Sequence, residues 1–237
     1  MDNIDDRIFS LFRRRRKRSE HRIDMLQLNT RKTGTPIFYI MGYGSAPSLF
    51  MPAASRLKHP VFGLTYPDSI LSGDADQTLK TFELIDRAFS ASGDGEAYTF
   101  GTSLGSFISV FLASRHKRIT RMILSVGGAS VAETVWNNPN MSLIRLKLER
   151  KYSLSDLKEK WADIEPGNLA TEVRDRKILI YESKTDILVR HENQKALTQA
   201  LSAGNQVKVR TSRMFGHYIT AIRSAYDFKE IQDFYDS

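Results

Sequence analysis

The sequence has no cysteine, which excludes a disulfide framework and any thiolate chemistry. It also lacks an uninterrupted apolar run long enough for a membrane span or a secretory leader. The first eight residues, MDNIDDRI, already carry four charges. The expectation is therefore a soluble, cytoplasmic protein. No internal repeat and no long low-complexity linker is present. A phosphate-cradling loop, a dinucleotide fingerprint and histidines at metal-ligand spacing are missing too, so the sequence implies no cofactor and no metal.

What is present is globular composition. With 237 residues, 41% hydrophobic and 26% charged, the chain is long enough for one large domain with a substantial core. The net charge of +8 reads as a nucleic-acid signal until it is located. Arg13 to Arg18, the run RRRRKR, supplies six of those charges and leaves a nearly neutral body. One short basic run argues for a tail, not for a phosphate-binding surface, and so against nucleic acid as a partner. Residues 1–19 are assigned to this arm and residues 20–237 to the domain. Ile4, Ile8, Phe9, Leu11 and Phe12 fall at roughly helical spacing beside the run. Two readings stay open: a solvated arm whose apolar residues dock on the body, or a basic amphipathic helix on an anionic membrane surface.

Past the arm, strand-like and helix-like segments alternate. HRIDMLQLNTR reads as one or two early strands, and TPIFYIMGYG as a buried strand running into a glycine loop. SLFMPAASRLK, ADQTLKTFELIDRAFSAS, SFISVFLASRHK, NQKALTQALSAG and AYDFKEIQDFYDS read as helices; HPVFGLTYP, EAYTF, ITRMILSVGG, RKILIYESKTD and NQVKVRTSRMF read as strands. Such alternation predicts an α/β fold, a mostly parallel central sheet with helices on both faces. In that architecture ligands bind beyond the carboxyl ends of the strands. Ser103, Asp186, His217 and the loop GYGSAP all follow predicted strands.

The stretch YTFGTSLGSFI places Ser103 between two glycines at a strand-to-helix junction. The following segment sets Phe107, Val110, Phe111 and Ala113 on one helical face and ends in a basic turn. GxSxG alone is a weak signal; at such a junction it has a mechanical meaning. A sharp turn presents the serine, and side chains at positions 101 and 105 would obstruct the helix from approaching the strand. A serine hydroxyl is a weak nucleophile that needs an adjacent base, and the base needs a carboxylate to fix its tautomer.

With its GTSLG turn, a strand-end aspartate, a later FGH histidine and a glycine loop after an early strand, the chain resembles the α/β-hydrolases over roughly residues 35 to 235. The order Ser, Asp, His is the family's own. The resemblance implies Ser103 as nucleophile, His217 as general base and Asp186 as the residue that orients it. It further implies oxyanion-hole donors in the backbone N–H groups of Leu104 and Tyr43. Of the other histidines, His21 adjoins the arm, His59 precedes a strand, His116 sits in a basic last helical turn, and His191 follows Asp186 by five residues. Asp163 and Asp175 fall before or at the start of a strand, where turns and caps account for them.

Two departures from the family pattern stand out. Met41 occupies the place where many members have a histidine before the oxyanion-loop glycine. The segment of about 131–176, expected between the sixth and seventh strands, is a short insertion where members often carry a cap. Within it Ser153 and Asp156 are spaced as a capping box. Trp136, Met141 and Leu143, with Ile144, Leu146 and Leu148, either roof the nucleophile and bind substrate or simply bury the insertion on the body. The resemblance implies a carboxylic ester hydrolase working through an acyl-enzyme, with a small-molecule acyl ester or thioester as substrate. A thioesterase, an acyltransferase or a non-catalytic binding member of the fold are the alternatives.

Overall fold

The computed structural model describes residues 23–31 and 33–237, so the Arg13 to Arg18 run lies outside the described residues. Seven strands form one sheet in the order β1-β3-β2-β4-β5-β6-β7. They are β1 (Asp24–Gln27), β2 (Ile37–Ile40), β3 (Val61–Thr65), β4 (Ala97–Thr102), β5 (Ile119–Ser125), β6 (Lys177–Ser183) and β7 (Gln206–Ser212). Only β1 runs antiparallel, pairing Asp24 with Thr65; every other neighbour pair is parallel. Because β2 connects outward to β3 on one side and pairs with β4 on the other, the strand order reverses between them. That switch point opens a crevice at their carboxyl ends.

β2 and β4 are fully buried, as the continuous apolar runs IFYI and AYTFGT require of central parallel strands. β7, by contrast, is an exposed edge. A 3-10 turn at Pro47–Phe50 leads into the short helix α1 (Met51–Ala54) after β2. Phe50 stacks on Tyr39 at 4.1 Å and meets Phe100 edge-on at 5.1 Å, tying the loop after β2 to the sheet. Burying one such ring contributes about 2 to 3 kcal/mol.

The principal helices are α2 (Ala75–Ser90) after β3 and α3 (Leu104–Arg115) after β4. α2 is capped by the Asp74 carboxylate on the Asp76 and Gln77 N–H groups. The single apolar face expected for α3 is corrected: every residue from Leu104 to Ala113 is buried. Ser106 and Ser109 lie inside as well, Ser106 bonding the Gly101 and Ser125 carbonyls. A helix buried all round sits between the sheet and a further layer. Here α7 of the insertion packs over it.

Between β5 and β6 lie α4 (Val131–Asn137), α5 (Ser142–Leu148), α6 (Leu154–Lys160) and α7 (Pro166–Leu169). The described residues hold a single strand ahead of Ile37, so the insertion falls between the fifth and sixth strands, not the sixth and seventh. The capping box at Ser153 and Asp156 forms as its spacing predicts. α8 (His191–Ser202) follows β6; α9 (His217–Tyr226) and α10 (Phe228–Asp236) follow β7. The single closing helix expected from Ala225 is thus two, broken at Asp227.

Candidate active site

The Gly101–Gly105 turn that presents Ser103 is built by two close backbone approaches. A Cβ on Gly101 would lie 2.3 Å from the Gly105 carbonyl oxygen, and one on Gly105 only 1.9 Å from that of Ile40. α3 therefore crosses β4 and β2 at a distance only glycine permits. The turn forces Ser103 to φ 52°, ψ −120°, a conformation costing about 1 to 3 kcal/mol outside glycine. Its N–H is held by the Ser125 carbonyl at 2.8 Å. Although it occupies the cap position of α3, Ser103 makes no side-chain cap bond, which leaves Oγ to point elsewhere.

It points to His217. Ser103 Oγ lies 2.9 Å from His217 Nε2, and His217 Nδ1 lies 2.7 Å from Asp186 Oδ2. A carboxylate only accepts, so Nδ1 carries a proton, and Nε2 of a ring with no second proton accepts from the serine hydroxyl. His217 is 4% and Asp186 6% exposed, while Ser103 is partly open. Asp186 is fully engaged: Oδ1 accepts from Leu188 N and Val189 N, Oδ2 from Gln194 Nε2 as well as His217.

Each member stands just beyond a strand: Ser103 directly after β4, Asp186 three residues after β6, His217 five after β7. His217 opens α9, and its approach is fixed by Phe215, whose carbonyl accepts from Ser183 Oγ on β6 and Thr220 Oγ1 on α9. The Tyr218 ring meets the imidazole edge-on at 5.4 Å. His59, His116 and His191 lie elsewhere. His59 bonds Thr35 O and Asp236, His116 bonds Asp86, and His191 begins α8. Asp175 sits in a left-handed turn ahead of β6 and Asp163 in a 3-10 turn.

The loop after β2 passes alongside. A Cβ on Gly42 would sit 3.2 Å from Ser103 Cβ, so the Gly42–Tyr43 backbone borders the serine. Leu104 is the first residue of α3, where an N–H has no intrahelical acceptor. The brace that Met41 cannot supply comes from β3's far end. Tyr66, 1% exposed, donates its hydroxyl to the Met41 carbonyl at 2.6 Å. Ser45 closes the loop on itself, its Oγ donating to the Gly42 carbonyl at 2.7 Å. Neither Tyr66 nor Gln194 carries a sequence signal, because each acts on partners that only the fold brings to it.

A second strained position adjoins the turn. Val126, buried and β-branched, takes φ 48° directly after β5, with its N–H on the Tyr181 carbonyl at 2.9 Å. Such values are outliers for branched residues and concentrate at functional sites.

The insertion is clamped at its base. Glu165 accepts from Val131 N at 2.6 Å and Ala132 N at 2.9 Å, closing the start of α4. Burial pushes its carboxyl up to about 7 against those donors. Asn193 on α8 grips Ser130 through both its N–H and carbonyl. Trp136 and Met141 pack partly buried against the core and Leu148 is buried, whereas Leu143 is 76% and Leu146 55% exposed. Among the described residues no cluster of metal-ligating side chains occurs, and no helix is long and apolar enough to cross a membrane.

No protein-family model and no curated protein matches the sequence. Solved structures do match. Acetyl xylan esterase 1 from Thermoanaerobacterium is 15% identical with a TM-score of 0.61, over 84% of this chain and 77% of that one. An esterase from Exiguobacterium antarcticum is 10% identical with a TM-score of 0.60, over 91% and 95%. The enol-lactonase from Burkholderia xenovorans is 15% identical with a TM-score of 0.57, over 91% and 96%. A puromycin-hydrolyzing peptidase of Mycobacterium tuberculosis also matches, and there this chain spans 34% of the other's length. Sheet order, turn and matches agree: the chain has the α/β-hydrolase fold.

Proposed function

We propose that the protein is a serine hydrolase that cleaves a carboxylic ester through an acyl-enzyme on Ser103. The observation that carries this reading is the continuous hydrogen-bonded chain from Ser103 Oγ through His217 to Asp186 beside the Gly42 loop. The activities by which the matching structures are known, esterase and lactonase among them, support the same chemistry.

In the proposed reaction His217 Nε2 takes the Ser103 proton as Oγ adds to the ester carbonyl. Asp186 stabilises the imidazolium that results. The N–H groups of Tyr43 and Leu104 receive the developing oxyanion, and losing one such donor costs about 3 to 4 kcal/mol. Collapse of the tetrahedral species passes the proton from Nε2 to the departing alcohol. Water then repeats the sequence on the acyl-enzyme, releasing the acid and restoring the serine. Trp136, Met141 and Leu143 of the insertion are the residues we place against the substrate's apolar part; the exposure of Leu143 suits a surface that an incoming substrate covers.

A fluorophosphonate probe tests the reading. The folded wild type should label covalently, and Ser103→Ala should abolish labelling. Turnover of a small p-nitrophenyl ester should drop by several orders of magnitude in Ser103→Ala or His217→Ala. The double variant should be little worse than either, because the residues act as a unit. A folded wild type that neither labels nor turns over ester makes the chain a non-catalytic member of the fold.

A further inference from the structure

We infer that Gln194, on α8, is a positioning residue that sets how strongly Asp186 holds the His217 imidazolium. The inference rests on the reading above for its kinetic consequence, but its structural basis is independent. Gln194 is 1% exposed, and both ends of its amide are engaged. Its Oε1 accepts from the Ser183 N–H at 2.9 Å. A backbone N–H can only donate, so the amide cannot be flipped, and Nε2 must face the other way. There it donates to Asp186 Oδ2 at 2.8 Å and to the Val189 carbonyl at 2.6 Å.

Oδ2 is the oxygen that also accepts from His217. Gln194 and His217 therefore share one acceptor atom, and the amide has two effects on it. It holds the carboxylate in the plane that meets the imidazole. It also withdraws electron density from Oδ2, since a donor to the charged form lowers a carboxylate's affinity for protons. Without that donor Asp186 becomes more basic and grips the Nδ1 proton of the imidazolium more tightly. The ring then stays protonated to higher pH, where it cannot take the serine's proton. Because the same amide ties β6 at Ser183 to the loop at Val189, it fixes where Asp186 stands after its strand. Other titratable groups stand on the same packed elements. Glu182 on β6 accepts from Thr198 Oγ1, and His191 opens α8 with Nδ1 buried and unpartnered among the described residues.

The test uses two full-length variants. Gln194→Met removes every amide bond at similar length. Gln194→Leu removes the same bonds with a shorter, branched side chain, and it serves if the methionine variant does not fold. The titration midpoint of the His217 ring, followed by NMR, should move to higher pH by about half to one unit in each. The acid limb of the kcat/KM profile should move with it, and kcat at pH 7 should fall about tenfold with KM nearly unchanged. A merely structural glutamine would lower the melting temperature and leave the midpoint in place; that result in a folded variant overturns the inference. A moved midpoint in a protein whose wild type turns over no ester supports the inference and refutes only the hydrolase reading.

Discussion

Gly105→Ala isolates the contact on which the whole site depends. The added methyl would lie 1.9 Å from the Ile40 carbonyl oxygen, 2.5 Å from its carbon and 2.8 Å from the Met41 oxygen. All three are backbone atoms of a buried central strand and its exit, so no side-chain rotation relieves the overlap. Even the tightest tolerable separation of 3.0 Å demands that α3 retreat from β2 by about 1.1 Å. Forced overpacking of this kind costs about 3 kcal/mol. For a chain of this size the melting temperature should fall by about 6 to 12 °C. The retreat also separates Ser103 from the Gly42–Tyr43 loop, and a misplacement near 1 Å costs on the order of a hundredfold in rate. Gly95→Ala is the control, because a Cβ there meets nothing within 4 Å. Thermal unfolding and fluorophosphonate labelling rates of both variants check the argument. A Gly105→Ala protein that melts and labels like wild type would refute the close-approach account of the turn.

Tyr66→Phe should remove the hydroxyl's hydrogen bond to the buried Met41 carbonyl, a loss of about 0.5 to 1.5 kcal/mol. Ester kinetics should then show kcat down about tenfold or more at nearly constant KM; an unchanged kcat means the loop needs no brace from β3. Glu165 carries a pH signature of its own. A carboxyl raised from 4.5 to about 7 by burial contributes stability that is fully present below pH 4.5 and is lost as pH rises through 7. At about 1.4 kcal/mol per pH unit the loss is roughly 3 kcal/mol. Urea denaturation across pH 4 to 8 should show this decline in wild type relative to Glu165→Gln. The nearby Lys158 and Glu133, paired with each other, are common to both proteins and drop out of the comparison; a flat difference curve would sink the assignment.

Much of the fold, and the meeting of Ser103, His217 and Asp186, was legible because its signals are local. The alternation of apolar strands with amphipathic helices fixes the sheet, and GTSLG at a strand-to-helix junction is a mechanical requirement written into five consecutive residues. Asp186 and His217 stand where strand ends must converge. The misreadings have physical causes. α3 reads as amphipathic because serines at 106 and 109 look polar, yet Ser106 buries its hydroxyl on two carbonyls. HYITAIRS, between the last strand and the closing helix, receives no element from its pattern, whereas His217 begins a helix that packs on β6 and β5. Tyr66 and Gln194 were invisible for a different reason. Tyr66 meets its partner 25 residues away, and Gln194 joins Ser183, Asp186 and Val189 at one buried point that no local spacing encodes.

These cross-fold bonds also explain how a strained turn is tolerated. Ser103 and Val126 each hold a left-handed backbone that a non-glycine residue leaves when free to do so. They adjoin one another through the Ser103 N–H on Ser125 O, and both stand on the buried ends of adjacent strands. Ser106 bonds the Gly101 and Ser125 carbonyls and accepts from the Ser125 N–H, so one hydroxyl ties the start of α3 to the ends of β4 and β5. Ser224 on α9 reaches the same Ser125 through its hydroxyl at 2.7 Å, linking this cluster to the helix that begins with His217. The strain therefore persists because relaxing Ser103 would break bonds on three elements at once. The serine and the histidine are held by one shared buried network, so their 2.9 Å separation is a property of the framework and not of flexible loops.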